Sequence, residues 1–197
     1  MARQVRHWML TGITPLMQSN VEAMIIDDPA DDDKIKVKKK KKIYNDAEEA
    51  EIRCYRINGK LCHPSSCFRT SLMKAATNHK FGKMSAASAV EVAVHLPAAD
   101  YFPVLDAEGK PAKSYVIDKR TVVVNKSRIL RCRPKFPEWK MKIELEIDDD
   151  FISPEQVTDL LNIMGSKIGL GDFRPERDYV KGMKGAGKFG RFTAELV

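Results

Sequence analysis

Arg131, Arg133 and Lys135 share one parity within Ser127 to Pro137, a stretch whose residues suit an extended chain. In a strand, alternate residues point to the same side, so these cations would form a single file about 6 to 7 Å apart, from a rise of roughly 3.3 Å per residue. That spacing matches successive phosphates of a nucleic-acid backbone. The file sits in a basic region. Residues 110–142 carry eleven lysines and arginines, among them Lys119, Arg120, Lys126 and Arg128, against only Asp118 and Glu138. The formal net charge of the whole chain is +7, which draws polyanions toward it. The alternative use of such a strand is a solvated sheet edge whose charge prevents aggregation.

A second candidate is the run Gly169-Leu-Gly171-Asp-Phe173-Arg174-Pro-Glu-Arg177, continued by Lys181-Gly-Met-Lys184-Gly185-Ala-Gly187-Lys188-Phe189-Gly190-Arg191-Phe192. Glycine lets a backbone approach phosphate closely and offers unobstructed amide hydrogens. Arg174, Arg177, Lys184, Lys188 and Arg191 add charge, while Phe173 and Phe189 could stack on bases. Trp8 and Phe192 suit the core better. The run is not a nucleoside-triphosphate loop, since no Gly-Lys-Ser or Gly-Lys-Thr follows at the required spacing. Nor is it a dinucleotide fingerprint, because the element before it is a helix. Its plainer reading is a flexible surface loop.

Catalytic constellations are weaker. Asp27, Asp28 and Asp31 to Asp33 could hold Mg²⁺ through carboxylates, which gives a metal-dependent RNA or DNA nuclease as the alternative function. They stand beside Lys38 to Lys42, however, and read more simply as a self-neutralising linker. The five lysines could instead clamp phosphate. His7, His63, His79 and His95 are not spaced to define an acid and base pair. Cys54, Cys62, His63 and Cys67 match no zinc-knuckle spacing. With Cys132, the cysteines read as reduced thiols. No catalytic residue, metal or cofactor is therefore expected. A subunit that binds only other proteins is the remaining reading.

The elements that must position these residues fit one α+β domain over 1–197, with 43% hydrophobic and 31% charged residues. A strand is expected over Gln4 to Thr11, ended by Gly12 and Pro15. Residues 20–51 read as a charged, mobile insertion. Arg53 to Ile57 and Lys60 to Cys62 flank an Asn58-Gly59 hairpin turn. A helix is expected from Pro64 to about His79, with Ser65 or Ser66 as N-cap. Val90 to Leu96 reads as a strand. Residues 97–118 read as a protruding hairpin with Tyr101, Phe102 and Leu105 near its tip. Trp139 to Ile147 alternates strictly and would pair with Arg120 to Val124. Ser153-Pro154-Glu155-Gln156 opens a capped helix through Ile168, and Phe189 to Val197 supplies the last strand.

This order suits two helices on one face of an antiparallel sheet, the ferredoxin-like or RRM-like arrangement, with the other face free to bind. The N-terminal residues do not form a signal peptide and no apolar run is long enough for a membrane span, so a cytoplasmic protein without membrane contact is expected.

Gly12-Ile-Thr-Pro15-Leu, Leu61-Cys-His-Pro64-Ser65-Ser66-Cys-Phe-Arg69 and the 169–191 glycine-rich loop together resemble the RAMP superfamily, which includes backbone subunits of CRISPR effector complexes. Cys62, His63, Cys67 and Phe68 depart from the usual residues, and Ser65 replaces a glycine. The resemblance implies single-stranded RNA as partner, with DNA as the other polyanion, and copies of the chain or further ribonucleoprotein subunits beside it. It implies that Ser65, Ser66 and Arg69 face a guide backbone, that the glycine loop lines the same groove, and that the Tyr101 to Ile117 hairpin is a thumb. A stand-alone or virus-borne relative would share these features.

Overall fold

The structure, a computed structural model, describes residues 3–20, 45–77, 79–96, 100–124, 127–176 and 187–197. Asp27 to Asp33, Lys38 to Lys42, Lys126, Arg177, Lys184 and Gly185 lie outside them.

The fold is α+β. Its central sheet is antiparallel, built on β1 (Gln4–Gly12) and β11 (Lys140–Ile147), with β12 (Phe192–Leu196) beyond β1 and β7 (Val94–His95) beyond β11. Period-two alternation fixes the register: Trp8 and Leu10 on β1 turn inward with Met141, Ile143, Leu145 and Ile147 on β11. Onto this face pack α2 (Ser65–Ala76), α3 (Ala86–Ala93) and α4 (Pro154–Ile163), through Phe68, Leu72, Ala89, Val90, Val157, Leu160 and Leu161. Ser153 and Gln156 form the expected capping box, and a π-helical turn, Met164–Ile168, continues α4 to Gly169. The Asn162 amide pairs with both backbone groups of Ala194, tying α4 to the edge strand β12. Trp8 is fully buried, yet its indole N–H donates to Thr158 at 2.8 Å, so its burial leaves no orphan donor.

A second sheet holds β2 (Leu16–Met17), β10 (Ser127–Phe136) and β9 (Val116–Val124). A third holds β3 (Arg56–Ile57), β4 (Lys60–Pro64) and β8 (Tyr101–Pro103). A small ribbon joins β5 (Lys80–Phe81) to β6 (Met84–Ser85). Asn58 and Gly59 both have positive φ, as an Asn-Gly hairpin turn between β3 and β4 requires.

Several expectations are corrected. The end of the 20–51 segment is not a mobile insertion: Asp46–Ile52 forms helix α1, capped by the Asn45 side chain and anchored by a fully buried Ala50. At α2 the N-cap is Pro64, not a serine. Ser65 is already helical, because β4 runs straight into the helix. Val90 to Leu96 is mostly helix, since Ala86, Ala89, Val90 and Ala93 are buried at helical spacing. Within 100–118 the expected turn is present: Leu105 bridges Pro111 in antiparallel fashion and Ala112 N–H donates to the Val104 carbonyl at 2.9 Å, while residues 97–99 lie outside the described residues. The strand before it is packed and does not protrude: Phe102 is buried against Phe68, ring centroids 5.6 Å apart, and β8 pairs with β4, so the projecting part is the short turn at Asp106 to Lys110. Leu105 pairs by backbone with Lys140. Finally, β11 pairs with β1, while Arg120 to Val124 belongs to the long β9–β10 hairpin.

Candidate nucleic-acid interface

The β9–β10 register sets Arg131 opposite Arg120 and Arg133 opposite Asp118. One face of the hairpin therefore carries Asp118 and Arg120 from β9 with Arg131, Arg133 and Lys135 from β10. The predicted parity is present, but the open file of cations is not. Lys135 Nζ lies 3.2 Å from Asp118, which also accepts from Arg120 Nη2 at 2.6 Å. Arg133 Nε lies 2.8 Å from Asp172, and Arg131 Nη1 lies 3.4 Å from Glu49. Glu49 also meets Arg53 at 3.3 Å and accepts the Cys132 amide at 3.1 Å.

A charge taken from water must be paired, and here each basic side chain of the file meets a carboxylate brought from another segment or the facing strand. Burial opposes ionisation of Asp118, but hydrogen bonds from Arg120 and Lys135 outweigh it and hold its carboxyl below the usual range. Arg133 is 9% exposed, and burial lowers its guanidinium pKa despite Asp172. Its Nε and Nη1 make no well-aligned hydrogen bond.

Phe173 and Phe189, from the two described ends of the glycine-rich loop, lie on this same face. Arg120 sits 5.5 Å from the Phe173 ring centroid and 5.0 Å from that of Phe189, and Arg133 sits 5.0 Å from Phe173. All three distances suit attraction between a cation and an aromatic face. Phe173 has φ +54°, a left-handed conformation costly for a bulky side chain. Its peptide is held by Phe189 N–H donating to the Phe173 carbonyl at 3.1 Å.

The described glycines bring protein backbone together. A Cβ on Gly171, at φ +76°, would collide with the Met17 carbonyl, and one on Gly187 with the Phe173 carbonyl. Asp172 N–H donates to Met17 at 2.7 Å, Gly190 N–H to Pro15 at 2.7 Å, and Arg191 N–H to the Thr14 hydroxyl at 2.9 Å. Gly12-Ile-Thr-Pro15-Leu and the described ends of the glycine loop, 169–176 and 187–191, are thus joined by backbone hydrogen bonds. Lys188 and Arg191 remain exposed on it.

Other expected contacts are distributed differently. Arg69 donates to the Val90 and Val94 carbonyls at 3.3 and 2.8 Å, closing the end of α3 instead of facing outward. Ser65 is buried and Ser66 exposed. Arg174 donates to the Gly171 carbonyl and pairs with Glu176, which also holds Lys74 of α2. Lys119 lies 2.7 Å from Asp46. Arg128 is exposed. Tyr101 and Phe102 belong to β8, paired with β4, while Leu105 flanks the Asp106 to Lys110 turn, bridged to Pro111 and to Lys140.

The outer face of the central sheet is not basic. Lys140 and Lys142 are followed along it by Glu144 and Glu146, and Glu195 lies on neighbouring β12. The sequence reading missed Glu49, Asp118 and Asp172, the acids that neutralise the strand. Only the run Asp46 to Glu51, set against so basic a centre, hinted at them.

The four cysteines are free thiols, and burial pushes Cys54 up to about 12, leaving it a poor nucleophile. Among the described residues no group of His, Cys, Asp or Glu is arranged to hold a metal, and no helix is long and apolar enough to cross a membrane. No protein-family model matches the chain, and no curated protein matches its sequence.

Proposed function

We propose that this protein binds single-stranded RNA without cleaving it, along the sugar-phosphate backbone, as a repeating subunit of a ribonucleoprotein. The observation that carries this reading is the meeting of Arg120 and Arg133 with Phe173 and Phe189. Cations for phosphate and rings for bases, distant in sequence, share one surface, the combination used by single-strand binders. Exposed Lys188 and Arg191 extend it. Phosphates of an incoming strand would take over guanidinium and ammonium groups now facing Asp118, Asp172 and Glu49.

The chain order of β1, α2 and α3, β7, β11, α4 and β12, with spatial order β12-β1-β11-β7, supports a ferredoxin-like reading of the α+β fold. That agrees with the RAMP resemblance of the Gly12, Pro64 and glycine-loop motifs. The binding surface in this reading is the hairpin and loop side. The sheet's outer face has no cation excess to offer.

Fluorescence anisotropy with a labelled uridine-only RNA tests the reading. Arg120→Ala combined with Phe189→Ala should weaken binding by at least roughly tenfold, since one base stack alone is worth about 1 to 3 kcal/mol. The loss should be similar on an adenosine-only strand. Absence of binding by the unaltered protein, or unchanged affinity in the double variant, would sink it.

A further inference from the structure

An edge strand carries a row of backbone donors and acceptors that the chain must cover or leave open to another strand. The central sheet covers its own. At β12 the Asn162 side chain pairs with both backbone groups of Ala194, and the Phe192 carbonyl packs so closely on Gly165 that a Cβ there would lie 2.1 Å from it. The opposite edge, β7, is two residues long. Among the described residues β9 is different. It runs for nine residues at the edge of the sheet β2-β10-β9, with β10 as its one strand neighbour.

The direction of its open groups follows from β10. Cys132 N–H donates to Glu49 and the Pro134 carbonyl accepts from Gln18 N–H, so the even-numbered residues of β10 turn their backbone away from β9 and the odd-numbered ones turn toward it. The register sets Arg131 opposite Arg120 and Arg133 opposite Asp118. The even residues of β9 therefore bond to β10, while Ile117, Lys119, Thr121 and Val123 direct N–H and C=O outward. Among the described residues, no hydrogen bond reaches these outward groups. The edge is also apolar: Val116 is 50% exposed, Ile117 38% and Val123 67%. A long open edge lined by exposed β-branched residues is a site for adding a strand.

Charge identifies that strand. When two copies of β9 run antiparallel about a two-fold axis at Lys119, their outward groups face each other, Ile117 opposite Thr121. Asp118 of each copy then stands opposite Arg120 of the other, and Val116 opposite Val122. Opposite charges and β-branched residues facing across strands both favour pairing. Moving the axis to Asp118 or Arg120 would instead set like charges opposite each other. At the axis itself the two Lys119 side chains meet, but each Nζ lies 2.7 Å from Asp46 of its own α1, so that charge is matched.

We propose that two copies of this chain pair through β9, antiparallel and two-fold about Lys119, joining their three-stranded sheets into one of six strands. The inference stands on the strand edge and does not rest on RNA binding. Light scattering of the full chain, free of nucleic acid, should give twice the chain mass. Thr121→Pro removes one outward N–H and spares the ladder to β10, a place where an edge strand tolerates proline. That variant should be monomeric with an unchanged circular dichroism spectrum. In the unaltered protein an amine cross-linker should join Lys119 to Lys119, a link between identical residues that only two copies can make. This second measurement decides the matter if the proline variant does not fold. A chain that stays monomeric up to about 100 μM, where even a weak pair assembles, would overturn the proposal. So would a folded Thr121→Pro variant that remains dimeric, or a dimer without the Lys119 to Lys119 link.

Discussion

His63 lies in β4 with 1% of its surface exposed and neither ring nitrogen hydrogen-bonded. Burial, with the charge of Arg174 as a smaller cause, lowers its pKa from 6.5 to about 4. Because the folded value lies below the unfolded one, the unfolded chain takes the proton first as pH falls. The neutral imidazole therefore contributes full stability above about pH 6.5, and that contribution is lost progressively until the folded protein protonates near pH 4. The loss should be on the order of 3 kcal/mol. Urea unfolding across this range should register it, and His63→Leu should flatten the profile; an equally steep profile in the variant would remove His63 as the cause. Phe173 is a second residue under constraint. Left-handed backbone costs an ordinary residue roughly 1 to 2 kcal/mol, and such strain gathers at functional positions. Here it accompanies a ring held against two arginines.

Helix α1 shows how an element changes the meaning of a charge run. Asp46, Glu48, Glu49 and Glu51 look like solvated acid in the sequence, yet α1 packs on β10 and β9. Asp46 reaches Lys119, Glu49 reaches Arg131, and Glu51 accepts the Tyr115 hydroxyl at 2.7 Å. The helix thus competes with phosphate for the hairpin's cations. Glu49→Gln should strengthen binding of a uridine-only RNA by roughly threefold or more, since it removes one competing charge near the strand. It should also destabilise the fold by on the order of 1 kcal/mol, because Arg53, 4% exposed, loses the charge of a carboxylate 3.3 Å away. Anisotropy and urea unfolding together check both signs. Weaker RNA binding by a variant that remains folded would count against α1 as a competitor.

At the scale of the whole molecule, net charge overstates the electrostatics available for binding. Many cations between 110 and 142 already face carboxylates, so fewer counterions should be released than their number suggests. With about five phosphate contacts at roughly 0.7 each for a single strand, the slope of log affinity against log salt should be about −3 to −4. Titration across salt concentrations checks this. A slope near twice that steepness would mean that the internal pairs open completely on binding.

Much of this architecture is local chemistry, and the sequence determined it. Alternation fixes β1 and β11, Asn58-Gly59 the hairpin turn, and Ser153 to Gln156 the start of α4. In each case a few neighbouring residues suffice, and the same locality set Arg131, Arg133 and Lys135 on one face of β10. Other outcomes required distant partners. Two strand-like segments can pair in several ways, and only burial of Phe102 beside Phe68 decided that β8 joins β4. Val90 and Val92 carry strand propensity, yet the alanines Ala86, Ala89 and Ala93 let a helix pack closely on the core. The site depended most on tertiary structure. Charge is read from composition, but its availability depends on which carboxylates fold against it, and Glu49, Asp118 and Asp172 become counter-ions only when α1, β9 and the glycine loop converge on β10.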